Sequence, residues 1–210
     1  KFPHDIVDEA AEMGLVGMSI PIDYGGAGYD PISNILVGEE LFAADPGIGL
    51  SIMACSFGTE NIIEFGTEDQ KERFLPDVAS GDVINGNKMW ITNGTVADVF
   101  TVLCKTDPEA EGRYNGFSQI VVEADRDGFE ADKITGKMGI RASDTAELIF
   151  DNVRVPEENL VGTRGAGFLQ QMEFFDATRT GVAAQAVGIA SGACDRALEY
   201  AQHRLRTVRG

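Results

Sequence analysis

The first part of the chain places apolar residues at the three- and four-residue spacing of an amphipathic helix. One such face consists of Ile6, Val7, Ala10, Ala11 and Met13. Gly14 follows and is expected to end the helix. Ser33 is a candidate N-cap for a second helix, and the small apolar residues 49–56 predict a third, buried helix. Residues 61–65 and 69–74 predict two further short helices.

Between residues 83 and 155 the pattern changes to short runs rich in β-branched and aromatic residues, separated by Gly, Asn and Asp. The predicted strands are residues 89–92, 99–104, 117–123, 147–150 and 153–155. Asn85-Gly86 and Asn93-Gly94 bracket the first run, and each predicts a tight turn because Asn and Gly tolerate positive φ. Strands at this spacing favour a small antiparallel β-barrel or sandwich.

Helical spacing returns after Gly167, with Phe168, Met172 and Phe175 on one face. Residues 180–204 then carry a long Ala-rich stripe whose small side chains permit close approach to a neighbouring helix. We expect a partner subunit, or chain beyond this sequence, to complete a helical bundle there. The predicted fold class is α+β multidomain. The predicted domains are an N-terminal helical domain at 1–82, a middle β-domain at 83–160, and the first helices of a truncated C-terminal helical domain at 161–210.

The composition disfavours several classes of partner. Lys and Arg number 17 against 34 Asp and Glu, which gives a formal net charge of −17. Nucleic acid and anionic membrane surfaces are not expected as partners, because both require clustered cations. No apolar run approaches the roughly 20 residues that cross a bilayer. The predicted location is cytoplasmic, either in a salt-rich cytoplasm or as an ordinary acidic enzyme.

The three cysteines, Cys55, Cys104 and Cys194, lie far apart and show no C-x-x-C spacing. They predict no disulfide framework, and a reducing compartment suits them. Because His4 and His203 are the only histidines, a His-based metal centre is not expected.

Two sequence blocks carry most of the chemical information. Residues 85–94 are N-G-N-K-M-W-I-T-N-G with the single tryptophan, and residues 138–147 are M-G-I-R-A-S-D-T-A-E. With G-T-E-D-Q-K at 66–71, G-x-G-F at 165–168 and D-x-x-R at 176–179, they resemble the acyl-CoA dehydrogenase family, in the family's order. The resemblance implies a flavoprotein that uses FAD. It also implies α,β-dehydrogenation of acyl-CoA thioesters, by α-proton abstraction and β-hydride transfer to flavin N5.

The resemblance assigns one wall of the flavin site to Trp90, Ile91 and Thr92, with Thr92 near the N5 edge of the ring. An aromatic face and a strand hydroxyl suit a flat heterocycle. The alternative interpretation places Trp90 in the hydrophobic core. Arg204 matches an arginine that reaches the ADP part of the flavin across a subunit interface, although positions 207–208 hold Thr-Val where the family has Phe-Gly.

For the substrate, the resemblance implies that Asp176 and Arg179 contact the CoA part and that Phe175 lines the acyl channel. The alternatives are an ordinary surface ion pair, three residues apart on a helix, and a core phenylalanine. No catalytic residue is predicted within the chain. Some relatives carry the glutamate base immediately before this arginine, where this chain has Thr178, and in most it lies beyond the position of residue 210.

A segment with the pattern T-E-P-x-A-G-S-D, a few tens of residues long, belongs between Asp82 and Val83 in the family pattern and is absent here. The resemblance implies that this segment supplies flavin hydrogen bonds and a first strand of the β-domain. Either the sequence omits these residues, or the gene carries an in-frame deletion that opens the barrel.

Three functions stay open from the sequence. The leading prediction is an acyl-CoA dehydrogenase that passes electrons to an electron-transferring flavoprotein and assembles as a homotetramer or homodimer. The first alternative is a non-catalytic relic that binds flavin or acyl-CoA and serves as a partner subunit. The second is an acyl-CoA oxidase, which passes electrons to oxygen.

Overall fold

The computed structural model describes residues 2–24, 26–57, 59–74 and 81–208. Short helices come first, two antiparallel sheets follow, and one long helix comes last. The helices are α1 His4–Glu12, α2 Pro31–Ala44, α3 Pro46–Met53, α4 Thr59–Phe65, α5 Glu68–Phe74 and α6 Gly167–Val208. The strands are β1 Gly81–Thr92, β2 Val99–Lys105, β3 Phe117–Glu123, β4 Phe129–Lys133, β5 Thr145–Pro156 and β6 Leu160–Val161. This order confirms the predicted α+β fold class.

Capping residues explain where α1 ends and α2 begins. Gly14, with a φ of 74°, lies just beyond α1, as predicted. The predicted cap Ser33 is wrong, because Asp30 caps α2. The Asp30 carboxylate accepts hydrogen bonds from the N–H groups of Ile32 and Ser33 at 2.9 and 3.1 Å. Pro31 presets the first helical φ and has no N–H to satisfy, so the helix begins two residues before Ser33.

The third helix uses the same Asp-Pro device. α3 begins at Pro46, three residues before its predicted start, because the Asp45 carboxylate accepts from Gly47 N and Ile48 N at 2.8 and 2.9 Å. Ser51 is fully buried, which agrees with the predicted burial of this helix.

The middle region is a sandwich of two three-stranded antiparallel sheets, with strand orders β1-β5-β4 and β2-β3-β6. The inward faces of both sheets share one hydrophobic core, made of Ile84, Phe100, Val102, Ile120, Val122, Ala146, Leu148, Phe150, Val153 and Val155. The sheets do not close into a barrel, so the observed form is the predicted sandwich. Residues 107–116 form the predicted loop between β2 and β3.

β5 joins two predicted strands, 147–150 and 153–155, into one. Its inward-facing residues change parity between Phe150 and Val153, because Asn152 adopts a φ of 54° and adds one residue to the strand. The interruption in the sequence pattern is therefore a bulge and not a turn. β4 is missing from the sequence prediction, since its five residues F-E-A-D-K are mostly polar and form an edge strand.

β1 extends well beyond the predicted strand 89–92 and pairs with β5 along its length. The tight turn predicted at Asn85-Gly86 is wrong, because these residues lie inside β1, opposite the bulge of β5. Asn85 Oδ1 accepts a hydrogen bond from Asn152 N there, at 2.8 Å. The turn predicted at Asn93-Gly94 is present directly after β1.

α6 is one continuous helix of 42 residues that contains no proline. Gly188 and Gly192 approach α2 so closely that an added Cβ atom would collide with the backbone carbonyls of Glu39 and Ala43. The Arg196 guanidinium donates to the last carbonyl of α2 at 2.6 Å. The predicted stripe of small residues therefore packs the C-terminal helix directly on an N-terminal helix.

The predicted division into domains at 1–82, 83–160 and 161–210 stays a prediction. Along the part of the chain that the structure describes, no helix is both long enough and apolar enough to cross a membrane.

Candidate functional site

Trp90 projects from a bulge near the end of β1. The pairing register shifts between Lys88 and Ile91, so that Met89 and Trp90 together oppose the single residue Glu147 of β5. Trp90 adopts a φ of 64° and is 69% exposed. Bulges re-aim side chains, and this one turns the indole away from the core. The alternative interpretation of Trp90 as a core residue is therefore wrong.

The other two predicted flavin residues are less exposed. Ile91 is half-buried and packs against the core of the sandwich. Thr92 is also half-buried and pairs with Thr145 of β5. Among the described residues, the Thr92 hydroxyl has no hydrogen-bond partner. The end of β1 thus presents one exposed aromatic face and one uncommitted hydroxyl.

A buried acid holds the turn that follows Thr92. Asp144 is fully buried, and its Oδ2 accepts a hydrogen bond from the N–H of Thr95 at 2.9 Å. Its Oδ1 pairs with Lys133 Nζ, and its backbone carbonyl accepts from Asn93 N at 3.2 Å. Burial by itself raises the pKa of Asp144, but the hydrogen bonds from Lys133 and Thr95 outweigh burial and leave this pKa below its ordinary value. Asp144 is therefore ionised at neutral pH.

Sequence reasoning did not identify the pair of Asp144 and Lys133, which are eleven residues apart. The block at 138–147 contains the acid, but the cation that meets it stands on β4, the strand missing from the prediction. The Asp-Thr dipeptide within a run of small residues is a pattern that could have indicated a buried, turn-fixing acid.

The predicted substrate residues lie together on an exposed face of α6. Asp176 and Arg179 form an ion pair with side chains 73% and 67% exposed, and Arg179 Nε also donates to Phe175 O at 3.3 Å. Phe175 is 48% exposed, so it is not a core residue within this chain. An ion pair this exposed contributes under about 1 kcal/mol to stability. Both charged groups are therefore accessible to a ligand.

Thr178 lies between these residues and is half-buried. Its hydroxyl donates to the carbonyl of Phe174 at 2.9 Å, one turn earlier in α6. The single hydroxyl proton of Thr178 is therefore bound to the helix backbone. A threonine has no carboxylate to accept a substrate proton, so position 178 supplies no general base. Arg204 is exposed near the end of the described helix.

The predicted flavin residues 90–92 and the predicted substrate residues 175–179 lie on separate elements, β1 and α6. Trp90 belongs to the sheet β1-β5-β4, whereas α6 contacts the other sheet, where Gln119 Nε2 donates to Gly167 O at 3.4 Å. Among the described residues, no hydrogen bond, ion pair or ring contact joins residues 90–92 to residues 175–179. A ligand that touches both groups therefore has to bridge them.

Metal and disulfide chemistry have no site in the described ranges. No group of three or more His, Cys, Asp or Glu side chains there could hold a metal ion. The three cysteines are free, and burial raises the pKa of the Cys55 and Cys104 thiols. Neither thiol is therefore activated as a thiolate at neutral pH.

Three family models match the chain in consecutive order. The acyl-CoA dehydrogenase N-terminal domain matches residues 1–82, the middle domain matches residues 70–153, and the C-terminal domain matches residues 165–209. The chain belongs to the acyl-CoA dehydrogenase family.

Individual relatives agree with this assignment to the acyl-CoA dehydrogenase family. An acyl-CoA dehydrogenase of Bacillus subtilis (strain 168) is 36% identical, with 98% of this chain and 62% of the relative covered. The solved structure of butyryl-CoA dehydrogenase from Megasphaera elsdenii is 34% identical with a TM-score of 0.84, covering 95% of this chain and 61% of that one. A structure concerned with the electron transferring flavoprotein of Acidaminococcus fermentans is 38% identical with a TM-score of 0.87. The match covers 97% of this chain and 61% of that one.

The chain spans about three fifths of the length of these relatives. The alignment with the Bacillus subtilis protein extends over 237 positions, whereas 98% of 210 residues is about 206. About thirty positions of that relative therefore have no counterpart here, which matches the predicted size of the missing segment. Its location between Asp82 and Val83 stays a prediction. In the structure these two residues are neighbours in β1 and pair with Val155 and Arg154.

Acyl-CoA dehydrogenases are flavoproteins, and the residues around Trp90 fit a flavin. The exposed indole offers a flat aromatic face. Asn93, three residues on, is buried, and its Oδ1 has no hydrogen-bond partner among the described residues. Buried acceptors normally have a donor. A flavin, which offers a flat ring together with N–H and O–H donors, complements both features.

Proposed function

We propose that the protein is an FAD-dependent dehydrogenase of acyl-CoA thioesters. The observation that supports this proposal most is the ordered match of all three acyl-CoA dehydrogenase domain models. The exposed Trp90 supports it independently, because a large aromatic side chain turned outward on a bulge has no role in the core.

In this function Trp90, Ile91 and Thr92 form one wall of the flavin site. When bound there, FAD would supply the acceptor for the hydride that leaves the β-carbon of the acyl group. The Trp90 indole offers the stacking face, and the uncommitted hydroxyl of Thr92 is a hydrogen-bond donor for the ring edge. Arg204 supplies a cation for the diphosphate side of the cofactor.

The substrate side is built from residues of α6. Arg179, oriented by Asp176, offers a charge-assisted hydrogen bond to the CoA portion. Phe175 provides an apolar surface for the acyl chain. The chain length of the acyl group is a further proposal: the similarity to butyryl-CoA dehydrogenase favours short chains.

The α-proton requires a carboxylate base that we place outside this chain. Thr178 occupies the position at which some relatives carry the base, and its hydroxyl is committed to the Phe174 carbonyl. The residues described here therefore bind and orient, and another part of the polypeptide accepts the proton. The proposed electron acceptor is an electron-transferring flavoprotein, the proposed assembly a homotetramer or homodimer, and the proposed location the cytoplasm.

A second candidate is favoured by two observations. About thirty positions of the Bacillus subtilis relative are missing, and position 178 holds a threonine. A relic that binds flavin or acyl-CoA without turnover, and serves as a partner subunit, agrees with both.

Flavin binding tests the proposal directly. FAD added to the apoprotein is expected to quench the emission of Trp90, because the ring stacks on the indole. The Trp90→Phe variant identifies which emission belongs to this residue. Emission that stays constant at saturating FAD contradicts the flavin assignment.

Turnover separates the remaining candidates. A dehydrogenase reduces an electron-transferring flavoprotein in the presence of acyl-CoA, an oxidase consumes oxygen instead, and a relic does neither. The 210 residues expressed alone are expected to be inactive, because general-base catalysis contributes about 10²–10⁴-fold and the base is absent. Turnover by these residues alone would show that the base has been misplaced.

A further inference from the structure

The outward position of Trp90 depends on a bulge that has little strand beyond it. Only two residue pairs, Ile91 with Ala146 and Thr92 with Thr145, follow the bulge before β1 ends. A slip of one residue in this short end would exchange the faces of its side chains. Something beyond the strand pairing therefore has to fix the register.

Asp144 is in the position to do so. Through its backbone carbonyl it binds the N–H of Asn93, and through its carboxylate it binds the N–H of Thr95. These two contacts hold the turn immediately after Thr92, the last residue of β1. The turn can therefore move only if the fully buried carboxylate loses a partner.

One lysine binds Asp144, and a second binds the residues on either side of it. Lys133, at the end of β4, pairs with the carboxylate and is 46% exposed. Lys137 Nζ donates to Ser143 O at 2.6 Å and to Thr145 Oγ1 at 2.8 Å, on either side of Asp144. The acid, directly before β5, thus connects Lys133 of β4 to the turn that follows β1 beside Trp90.

We propose that Asp144, anchored by Lys133, is a positioning residue that fixes the β1 bulge so that Trp90 faces the flavin. This inference rests on the proposed function. Asp144 itself is fully buried, so it acts on the cofactor through Trp90 and Thr92.

The competing explanation is that Asp144 only stabilises the fold. Glu123 provides a matched control, because it is also a buried carboxylate paired with a cation, Arg126, but it belongs to β3 in the other sheet. Asp144→Asn and Lys133→Met each remove one member of the first pair, and Glu123→Gln removes one member of the second.

The experiment measures FAD affinity and the environment of Trp90 in the complete polypeptide. Tryptophan is replaced by 5-fluorotryptophan, and Trp90→Phe assigns its ¹⁹F resonance. Asp144→Asn and Lys133→Met are expected to raise the Kd for FAD at least about tenfold, which is about 1.4 kcal/mol. Both are also expected to split or broaden the Trp90 resonance in the apoprotein. Glu123→Gln is expected to lower the unfolding midpoint without either change.

Equal effects of Asp144→Asn and Glu123→Gln on the Kd and on the resonance, or no effect of either, would overturn the proposal. If the wild-type protein binds no FAD, the proposed function fails separately. The ¹⁹F resonance of the apoprotein then decides by itself whether Asp144 positions Trp90. If Asp144→Asn does not fold, Lys133→Met still tests the proposal, because replacing the half-exposed Lys133 side chain should disturb the fold less.

Discussion

The two halves of the candidate site are held in different ways. Trp90 stands on a bulge whose neighbouring turn is fixed by the fully buried Asp144. Asp176 and Arg179 stand on the open face of a helix, where their only described contacts are with each other and with the backbone one turn earlier. A change near Trp90 should therefore alter the fold and the site together, whereas a change near Arg179 should alter ligand binding alone.

The largest effect is expected from Arg179→Ala, and it should fall on binding. Removing the guanidinium deletes charge-assisted hydrogen bonds to the CoA portion, which costs roughly 1.5–3 kcal/mol of acyl-CoA affinity. Stability should change by less than about 1 kcal/mol because the ion pair is exposed. Calorimetric titration measures the first quantity and urea unfolding the second.

Arg113→Ala is the control for this change, since Arg113 is an exposed arginine in the loop between β2 and β3. It removes the same charge near the start of α6, where Arg113 lies over the Tyr114 ring and Tyr114 stacks on Phe168, and it should leave acyl-CoA affinity unchanged. Equal losses in the two variants would mean that overall charge, and not the position of Arg179, governs binding.

The next largest effect is on stability, and it differs between two glycines that are each replaced by alanine. A Cβ atom at Gly94 would lie 2.6 Å from the Cβ of Ala146, so Gly94→Ala forces the turn away from β5. We expect a loss of about 1–3 kcal/mol of unfolding free energy, as for other overpacked sites, together with weaker FAD binding. At Gly181, within α6, nothing lies within 4 Å of an added Cβ. Gly181→Ala should therefore stabilise the protein by about 0.5–1 kcal/mol.

Urea unfolding of the two alanine variants measures both changes. A loss of unfolding free energy in Gly94→Ala and a gain in Gly181→Ala would confirm that the turn near Trp90 is tightly packed and that the helix face near Arg179 is open. A neutral Gly94→Ala would contradict the tight turn.

The sequence predicted the fold better than it predicted the geometry of the site. Helix positions followed from apolar spacing, and the sandwich followed from short strands between turn residues. The bulges did not follow, because the pattern shows only an interruption at residues 151–152 and cannot distinguish an extra strand residue from a turn. Asp144 was likewise not assigned a partner, since Lys133 stands on a short polar edge strand without a recognisable pattern.

A smaller effect is expected at Trp90 itself. A non-glycine residue with a φ of 64° is strained by about 1 kcal/mol or more, and its exposed side chain contributes little packing. Trp90→Gly should therefore stabilise the apoprotein by about 1 kcal/mol while it weakens FAD binding. Trp90→Ala keeps the strain and should weaken binding without the gain in stability. Thermal unfolding of both variants measures the difference, and equal stability would show that the bulge is not strained.

The smallest effect is a dependence of stability on pH that belongs to Asp144. Hydrogen bonds from Lys133 and Thr95 hold the folded pKa of this carboxyl below its ordinary value of 3.8. The unfolded chain therefore binds the proton first as the pH falls, and the stabilisation, complete above pH 3.8, is lost as the pH falls through the folded pKa.

This loss of stabilisation adds a slope to the pH dependence of the unfolding free energy. Asp144→Asn should remove this part of the slope, whereas Asp176→Asn, on the exposed helix, provides the control. Urea unfolding at several pH values between about 2 and 5 measures it, in the range where aspartates titrate. If Asp144→Asn unfolds with the same pH slope as the wild type, the buried pair does not carry the charge that the structure assigns to it, and the two halves of the site differ less than their burial indicates.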